Sequence, residues 1–373
     1  MAANGNPYRS IVCAPHQIAF DITNKCNLRC LHCYNSSGEN VVTKNELDDC
    51  EVAEFINSVV QFRPYGFCFC GGETLLRPEV LCRGISALSK AGIACSMVTN
   101  GILLTPELLT DLVCSGLRAI QFSLDGSQPS HDKLRNRAGV YEAVTDAIDL
   151  VLSDTDLHLG VAFCPTAFNT DDLRFIYDLL IAEYAASGRS RRMSVDDSID
   201  LRVQPLMLLG RARRHMDIRP TDQQYRKLVM VIRELQAERT RVKAQWGDPI
   251  DHLIRFMDPK MLMDQVTIHA NGDIVVSPYL PLVVGNVRKH PLAEYWRGGL
   301  STVWSSRVVG TFCSRMTSIA DMELMSEEIA DINMGKDIYV DLLEGGDLND
   351  SGLLKLITFN QERQTDGMEA IAM

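Results

Sequence analysis

Three cysteines, Cys26-x-x-x-Cys30-x-x-Cys33, share one short stretch of the chain. Close thiols on a loop can chelate a metal or a cluster, because the thiolate is the ligand form. A structural zinc ion wants four ligands in a closed site. Three cysteines leave one coordination position open. Since [4Fe–4S] clusters usually take four cysteines, a three-cysteine loop implies an external fourth ligand. The competing reading is a zinc knuckle completed by His32 or by a distant cysteine. His32 stands between two ligands in sequence and is poorly placed for that. All but one of the twelve cysteines lie in the first 164 residues. They are not spaced as a disulfide framework, and a chain this long does not need staples.

Further groups recur downstream. Gly71-Gly72-Glu73 combines two glycines, which let a ligand approach the backbone, with a carboxylate able to bind an ammonium. Thr99-Asn100-Gly101 and Ser123-Leu124-Asp125-Gly126 are, taken singly, ordinary turn chemistry. In His131-Asp132-x-x-Arg135 the first two residues read as braces or caps of a loop. Cys68 and Cys70 alternate and share one strand face, where cysteines are reactive or, more commonly, small buried apolar residues. The arginine-rich stretches at 189–192 and 211–219 read as solvated surface.

Alternating elements must position these groups. The pattern predicts strands at His16–Thr23, Gly66–Cys70, Ile93–Val98, Ala119–Leu124, His158–Cys164 and Leu201–Leu208. Helices are predicted between them, including Pro106–Cys114 opened by Thr105 as a cap. Six strands separated by helices imply a parallel sheet, open or curled into a barrel. The cysteines, GGE, TNG and SLDG then follow successive strands, positions that converge on one rim of a parallel barrel. Beyond residue 215 the pattern changes to a long amphipathic helix (Thr221–Arg239), a hairpin (Val266–Val276, with Asn271-Gly272 at its tip) and a helix near Leu292–Trp296.

The stretch Asp21–Tyr34 (DITNKCNLRCLHCY), followed by GGE, resembles the radical S-adenosylmethionine (SAM) superfamily. The resemblance covers about the first 210 residues and continues more weakly to Trp296. It implies that Cys26, Cys30 and Cys33 bind one [4Fe–4S] cluster, with SAM on the fourth iron. His32 is the aromatic residue that precedes the last cysteine. The resemblance further implies that Gly71, Gly72 and Glu73 bind the methionine amino group, although Thr74 departs from the usual proline. Ser123 and Arg135, with Asn100 and Asp125, resemble the family's ribose and carboxylate sites. In the family, reductive SAM cleavage yields a 5′-deoxyadenosyl radical that abstracts hydrogen from the substrate, and reduced flavodoxin or ferredoxin supplies the electron.

Gly210-Arg211-Ala212-Arg213 and the stretch Asn271 to Val287 resemble the C-terminal extension called SPASM, common in enzymes that modify ribosomally made peptides. That extension usually ligates auxiliary clusters through about seven cysteines. Here Ser277 stands where a cysteine is expected, and only Cys313 lies beyond Cys164. Cysteine arithmetic rules out auxiliary clusters ligated by this region. A redox-neutral outcome such as epimerisation gains weight, with Cys313 as a hypothetical hydrogen donor; an inert thiol is the plainer reading of that residue.

The expected architecture is therefore α/β. It comprises a partial (β/α)6 TIM-like barrel over 1–215, a smaller α+β SPASM-like domain over 216–330 and an acidic tail over 331–373. A net charge of −11 argues against non-specific nucleic-acid binding. No apolar run reaches the roughly 18–20 residues of a membrane span, and no signal pattern opens the chain, so a cytoplasmic protein is expected. The expected substrate is a precursor peptide. Because the cluster motif begins at Cys26, a separate leader-binding partner is expected too. The alternatives are a small-molecule substrate, such as a sugar or antibiotic intermediate, and a non-catalytic metal-binding protein.

Overall fold

The computed structural model describes residues 13–39, 44–189, 197–257, 263–280, 282–332 and 337–350. Seven parallel strands lie side by side in chain order: β1 Gln17–Thr23, β2 Gly66–Gly71, β3 Ala94–Thr99, β4 Leu117–Ser123, β5 His158–Phe163, β6 Ile199–Val203 and β7 Val242–Trp246. The crossovers run through α1 Asp49–Phe62, α2 Pro78–Lys90, α3 Pro106–Ser115, α4 Gln128–Arg135 with α5 Val140–Asp154, α6 Leu173–Ala186 and α7 Asp222–Ala237. Strands in chain order with helices between them form a partial TIM-like barrel.

Local chemistry sets the helix starts. Asp48 caps α1 by accepting from the backbone N–H groups of Cys50 and Glu51, and Glu51 returns the bond to the Asp48 N–H. Thr221 and Gln224 repeat this reciprocal cap on α7. Such caps stabilise a helix by about 1 kcal/mol each. Strand alternation sets the core. Ile18, Phe20 and Ile22 of β1, with Phe67 and Phe69 of β2, are fully buried on the helix-covered face. Phe20 packs on Phe55 of α1 at 5.1 Å between ring centroids, and Phe67 on Phe69 at 4.8 Å. Asp21, Cys68 and Cys70 alternate with them and so occupy the other face.

The sheet continues on the far side of β1. β8 Gln265–Ile268 pairs parallel with β1; β9 Asp273–Val275 and β10 Leu282–Asn286 follow antiparallel, and β11 Ile338–Tyr339 closes the edge parallel to β10. The expected hairpin is β8–β9, with Gly272 at φ +88° in its turn. α8 Ile250–Met257, α9 Leu292–Gly298, α10 Arg307–Cys313 and α11 Ile319–Ile332 complete the C-terminal part.

Two expectations change. The parallel run does not stop near residue 215: α7 and β7 extend it by one further unit, so seven strands replace six. β7 reads VKAQW, which alternates apolar and polar residues but at five residues is too short to stand out in sequence. The tail expected from 331 also contributes to the fold. Ile338 and Leu348 are buried, and Asp341 accepts from the Tyr295 hydroxyl at 3.1 Å. Residues 333–336 and 351–373 of that tail lie outside the described residues, as do 190–192 of the first arginine stretch.

Candidate active site

The loop after β1 carries Cys26, Cys30 and Cys33, and several distant groups hold it. The Asn24 N–H donates to Glu46 Oε1 at 2.8 Å, and the Leu31 N–H donates to the Leu134 carbonyl at 2.9 Å. The buried Arg211 donates to the carbonyls of Cys30 (3.1 Å) and Ser37 (2.8 Å) and to Glu39 Oε1 (2.9 Å). This corrects the surface reading for Arg211, while Arg214 and Arg219 of that stretch are exposed. Gly210 has φ +53°, and a Cβ there would strike the Tyr34 carbonyl oxygen. A side-chain-free residue thus lets Arg211 reach the loop.

The GGE segment docks against the same loop. The Gly72 N–H donates to the Thr23 carbonyl at 2.7 Å and the Glu73 N–H to the Lys25 carbonyl at 2.9 Å. A Cβ on Gly72 would overlap the Lys25 carbonyl oxygen, so glycine is needed for the cysteine loop to sit this close to the end of β2.

All three thiols line one cavity of about 220 Å³, shared with His32, Gly71, Gly72, Asn100, Ser123, Asp125 and Arg135. These ten expected residues are therefore brought together, from the ends of β1 to β4 and from α4. Glu73 is the exception. It is 1% exposed and lies beneath the wall, its oxygens accepting from the Leu75 N–H (3.0 Å), Thr99 Oγ1 (2.7 Å) and the Asn100 N–H (2.9 Å). The carboxylate ties the end of β2 to that of β3 instead of facing a ligand.

Cys313 is also corrected. It sits on α10 in the C-terminal core, 3% exposed and away from the cavity lining. Burial pushes its thiol up to about 12. Ser277 is fully buried, its Oγ 3.2 Å from His252 Nδ1 and accepting from the Tyr279 N–H at 3.2 Å.

The electrostatics differ along the wall. Burial alone would raise the Asp125 carboxyl, but the Arg135 guanidinium beside it outweighs burial and holds the group well below the usual carboxylate range. Arg135 Nε donates to Asp125 Oδ2 at 2.7 Å, and its Nη1 lies 3.8 Å from Cys30 Sγ. Burial raises Cys26 to about 11 and also raises Cys30, where Arg135 opposes it. His32 is lowered to about 4, chiefly by burial, so its ring is neutral at pH 7. His131 and Asp132 brace the α4 loop as expected. His131 Nδ1 accepts from the Asp125 N–H, and the Asp132 carboxylate accepts from the Gly139 and Tyr141 N–H groups.

The donor set fits a cluster better than a lone ion. Three thiolates leave one coordination position for an external ligand, as a [4Fe–4S] cluster can use, whereas a structural zinc ion takes four ligands in a closed site. Asn27 Nδ2 and His32 Nδ1, beside the cysteines, are buried polar atoms without a partner, a condition that a bound group relieves.

Reading by motif missed Arg211, Cys164, Gln204, Asp248 and Tyr279, of which all five line the cavity. Gln204 follows β6 and Cys164 follows β5, so the strand-end rule could have found both. Asp248 and Tyr279 carried no local signal, and Arg211 stood out only within the motif at 210–213 and an arginine run, neither of which marks a cavity residue.

A parallel β/α barrel fragment with thiols, glycines and a buried ion pair at its C-terminal rim is the framework of a cofactor-dependent enzyme. Residues 20–154 match the model of the radical SAM superfamily, so the chain carries a domain of that type. It is a radical SAM enzyme, of a class that works with a [4Fe–4S] cluster and SAM. The AdoMet-dependent heme synthase of Methanosarcina barkeri (strain Fusaro / DSM 804) is 26% identical over 309 residues, covering 76% of this chain and 82% of the relative. The mycofactocin maturase MftC of Mycolicibacterium smegmatis is 26% identical over 181 residues, 48% of this chain and 45% of the relative. In fold, the chain is similar to Streptococcus suis SuiB bound to S-adenosylmethionine (TM-score 0.61, 13% identity, 81% of this chain and 68% of that one). Among the described residues, no helix is long and apolar enough to cross a membrane.

Proposed function

We propose that Cys26, Cys30 and Cys33 ligate the [4Fe–4S] cluster and that Gly71, Gly72, Asn100, Ser123, Asp125 and Arg135 line the SAM site. When bound, these groups supply a 5′-deoxyadenosyl radical able to take hydrogen from an unactivated C–H. The observation that carries this reading is the convergence of all three thiols with the ends of β2, β3 and β4 on one cavity. Arg211 fixes the cysteine loop through its carbonyls. Arg135, held by Asp125, keeps a positive charge beside Cys30 and favours its thiolate. Glu73 sets the spacing of β2 and β3 under the site. Reduced flavodoxin or ferredoxin serves as electron donor, and the enzyme works in the cytoplasm.

The substrate we propose is a residue of a ribosomally made peptide, presented with a separate leader-binding partner. Similarity to a mycofactocin maturase supports this. With Cys313 the single cysteine beyond Cys164, epimerisation is favoured over oxidative cross-linking. A small-molecule substrate is the second reading, supported by similarity over three quarters of the chain to a heme synthase.

The test is anaerobic reconstitution, reduction with SAM present, an iron count and an assay of 5′-deoxyadenosine. About four irons per chain with nucleoside formed, both lost in the Cys26/Cys30/Cys33 triple alanine variant, is the expected result. Zinc in place of iron, with no nucleoside, would end the proposal. Pull-down of a leader-bearing peptide separates the two substrate classes.

A further inference from the structure

Part of the cavity wall is not used by any of the cofactor roles above. Tyr34 leaves the cysteine loop, Asp248 follows β7, and Tyr279 follows β9; all three line the same cavity. The two tyrosine rings stand 5.4 Å apart, tilted by 54°. Among the described residues, neither phenol hydroxyl and neither oxygen of Asp248 has a hydrogen-bond partner. Tyr34 is 39% exposed and the Asp248 side chain 31% exposed, so both are accessible on the cavity wall that they line with Tyr279.

Burial raises the Asp248 carboxyl above its ordinary value, and among the described residues no charged cation pairs with it directly. His252 Nε2 is 3.8 Å from Asp248 Oδ1. Burial holds the His252 ring at about 3, so it is neutral at pH 7 and offers no compensating charge. Arg255 lies near enough to be felt, but its Nε and Nη2 face Asp264 at 3.0 Å and Gln265 at 3.4 Å, and its buried, unpartnered Nη1 makes no ion pair with Asp248 within 4 Å. Arg202 of β6 makes no ion pair with Asp248 within 4 Å, although its field reaches it. A partly desolvated carboxylate without a cation is costly. Aromatic faces attract cations through the ring quadrupole. An acid and two such rings on one wall form a receptor for positive charge.

We propose that Asp248, with Tyr34 and Tyr279, is a substrate subsite that receives a cationic nitrogen, an ammonium or guanidinium group. This rests on the reading that the cavity is where substrate meets the radical chemistry, and it narrows the substrate class of that site. A lysine or arginine side chain of a peptide and the amine of a small molecule share this chemistry.

The test uses the reconstituted, SAM-loaded protein and isothermal titration calorimetry. The probes are N-acetyl-lysine amide for the peptide source, 1,5-diaminopentane for the small-molecule source, and N-acetyl-norleucine amide as the neutral control. At least one cationic probe is expected to bind about tenfold tighter than the neutral one. Asp248→Asn is expected to abolish that preference, and Asp248→Glu to restore part of it. Tyr34→Leu, on a partly exposed ring, is expected to weaken the cation roughly two- to fivefold while the charge stays in place. Equal binding of cationic and neutral probes, no binding of either cationic probe, or a preference that survives in Asp248→Asn would overturn the subsite. Iron content and nucleoside yield of the wild-type protein, measured on the same preparation, report separately on the reading beneath it. If the wild-type protein holds a cluster and cleaves SAM but shows no cation preference, the subsite alone fails.

Discussion

Arg211 reaches the Cys30 carbonyl from 181 residues further along the chain, and the same guanidinium holds Ser37 and Glu39. A loop with three thiols and little regular structure of its own depends on such outside donors to keep its ligands in place. Replacing Arg211 by methionine keeps much of the volume and removes the donors. Bonds to charged groups contribute about 1.5–3 kcal/mol each. Shared among two buried carbonyls and the partly exposed Glu39, the expected loss is roughly 2–4 kcal/mol in urea denaturation. The reconstituted variant is expected to lose iron on gel filtration, whereas the equivalent change at the exposed Arg214 retains it. Full iron retention in Arg211→Met would remove its role as a clamp. The cysteine spacing itself was legible in sequence because all three ligands sit in one turn of chain. Arg211 was not, since an arginine in an arginine-rich run carries no mark of burial.

At the scale of elements, the joint between β1 and β8 is both a ladder and an ion pair. Asp21 of β1 lies 2.9 Å from Nδ1 of His269, which follows β8. Burial would lower the imidazole pKa, but the bond and charge of Asp21 outweigh it, so the group titrates above its ordinary 6.5. A raised folded-state value means that protonated His269 stabilises the native state. The contribution is complete below about pH 6.5 and is lost as pH rises through the higher folded value. Thermal or urea stability is therefore expected to fall from about pH 6.5 upward, and Asp21→Asn to flatten that part of the profile. An unchanged profile in Asp21→Asn would show that the pair contributes nothing across this joint. The hairpin after β8 was readable from Asn271-Gly272. Its parallel pairing with β1 was not, because partner choice between strands more than two hundred residues apart leaves no pattern in either strand.

Across the whole molecule, one sheet of eleven strands joins the barrel fragment to the C-terminal part. The last described segment is built into that body. Leu348 is 4% exposed, and its carbonyl accepts from the Val308 N–H at 2.9 Å. Leu348→Ala is expected to cost about 2–5 kcal/mol and to lower the melting temperature, with iron per chain unchanged because the cavity is elsewhere. A change within about 0.5 kcal/mol, typical of surface positions, would return this segment to the status of a loose tail.

The sequence by itself determined what is local. It specified three thiols on a loop after a strand, glycines where that loop must approach β2, turn residues at the ends of β3 and β4, and helices begun by their own caps. Those features depend on neighbours within a few residues, so spacing and periodicity carry them. The tertiary structure alone decided which side chains meet at distance. It buried Glu73 beneath the wall and sent Cys313 into the C-terminal core. It added β7 to the parallel run, and it brought Arg211, Asp248 and Tyr279 to the cavity of Cys26, Cys30 and Cys33. The reason is physical: burial and charge pairing depend on the folded neighbourhood, which gathers residues that the linear order keeps apart.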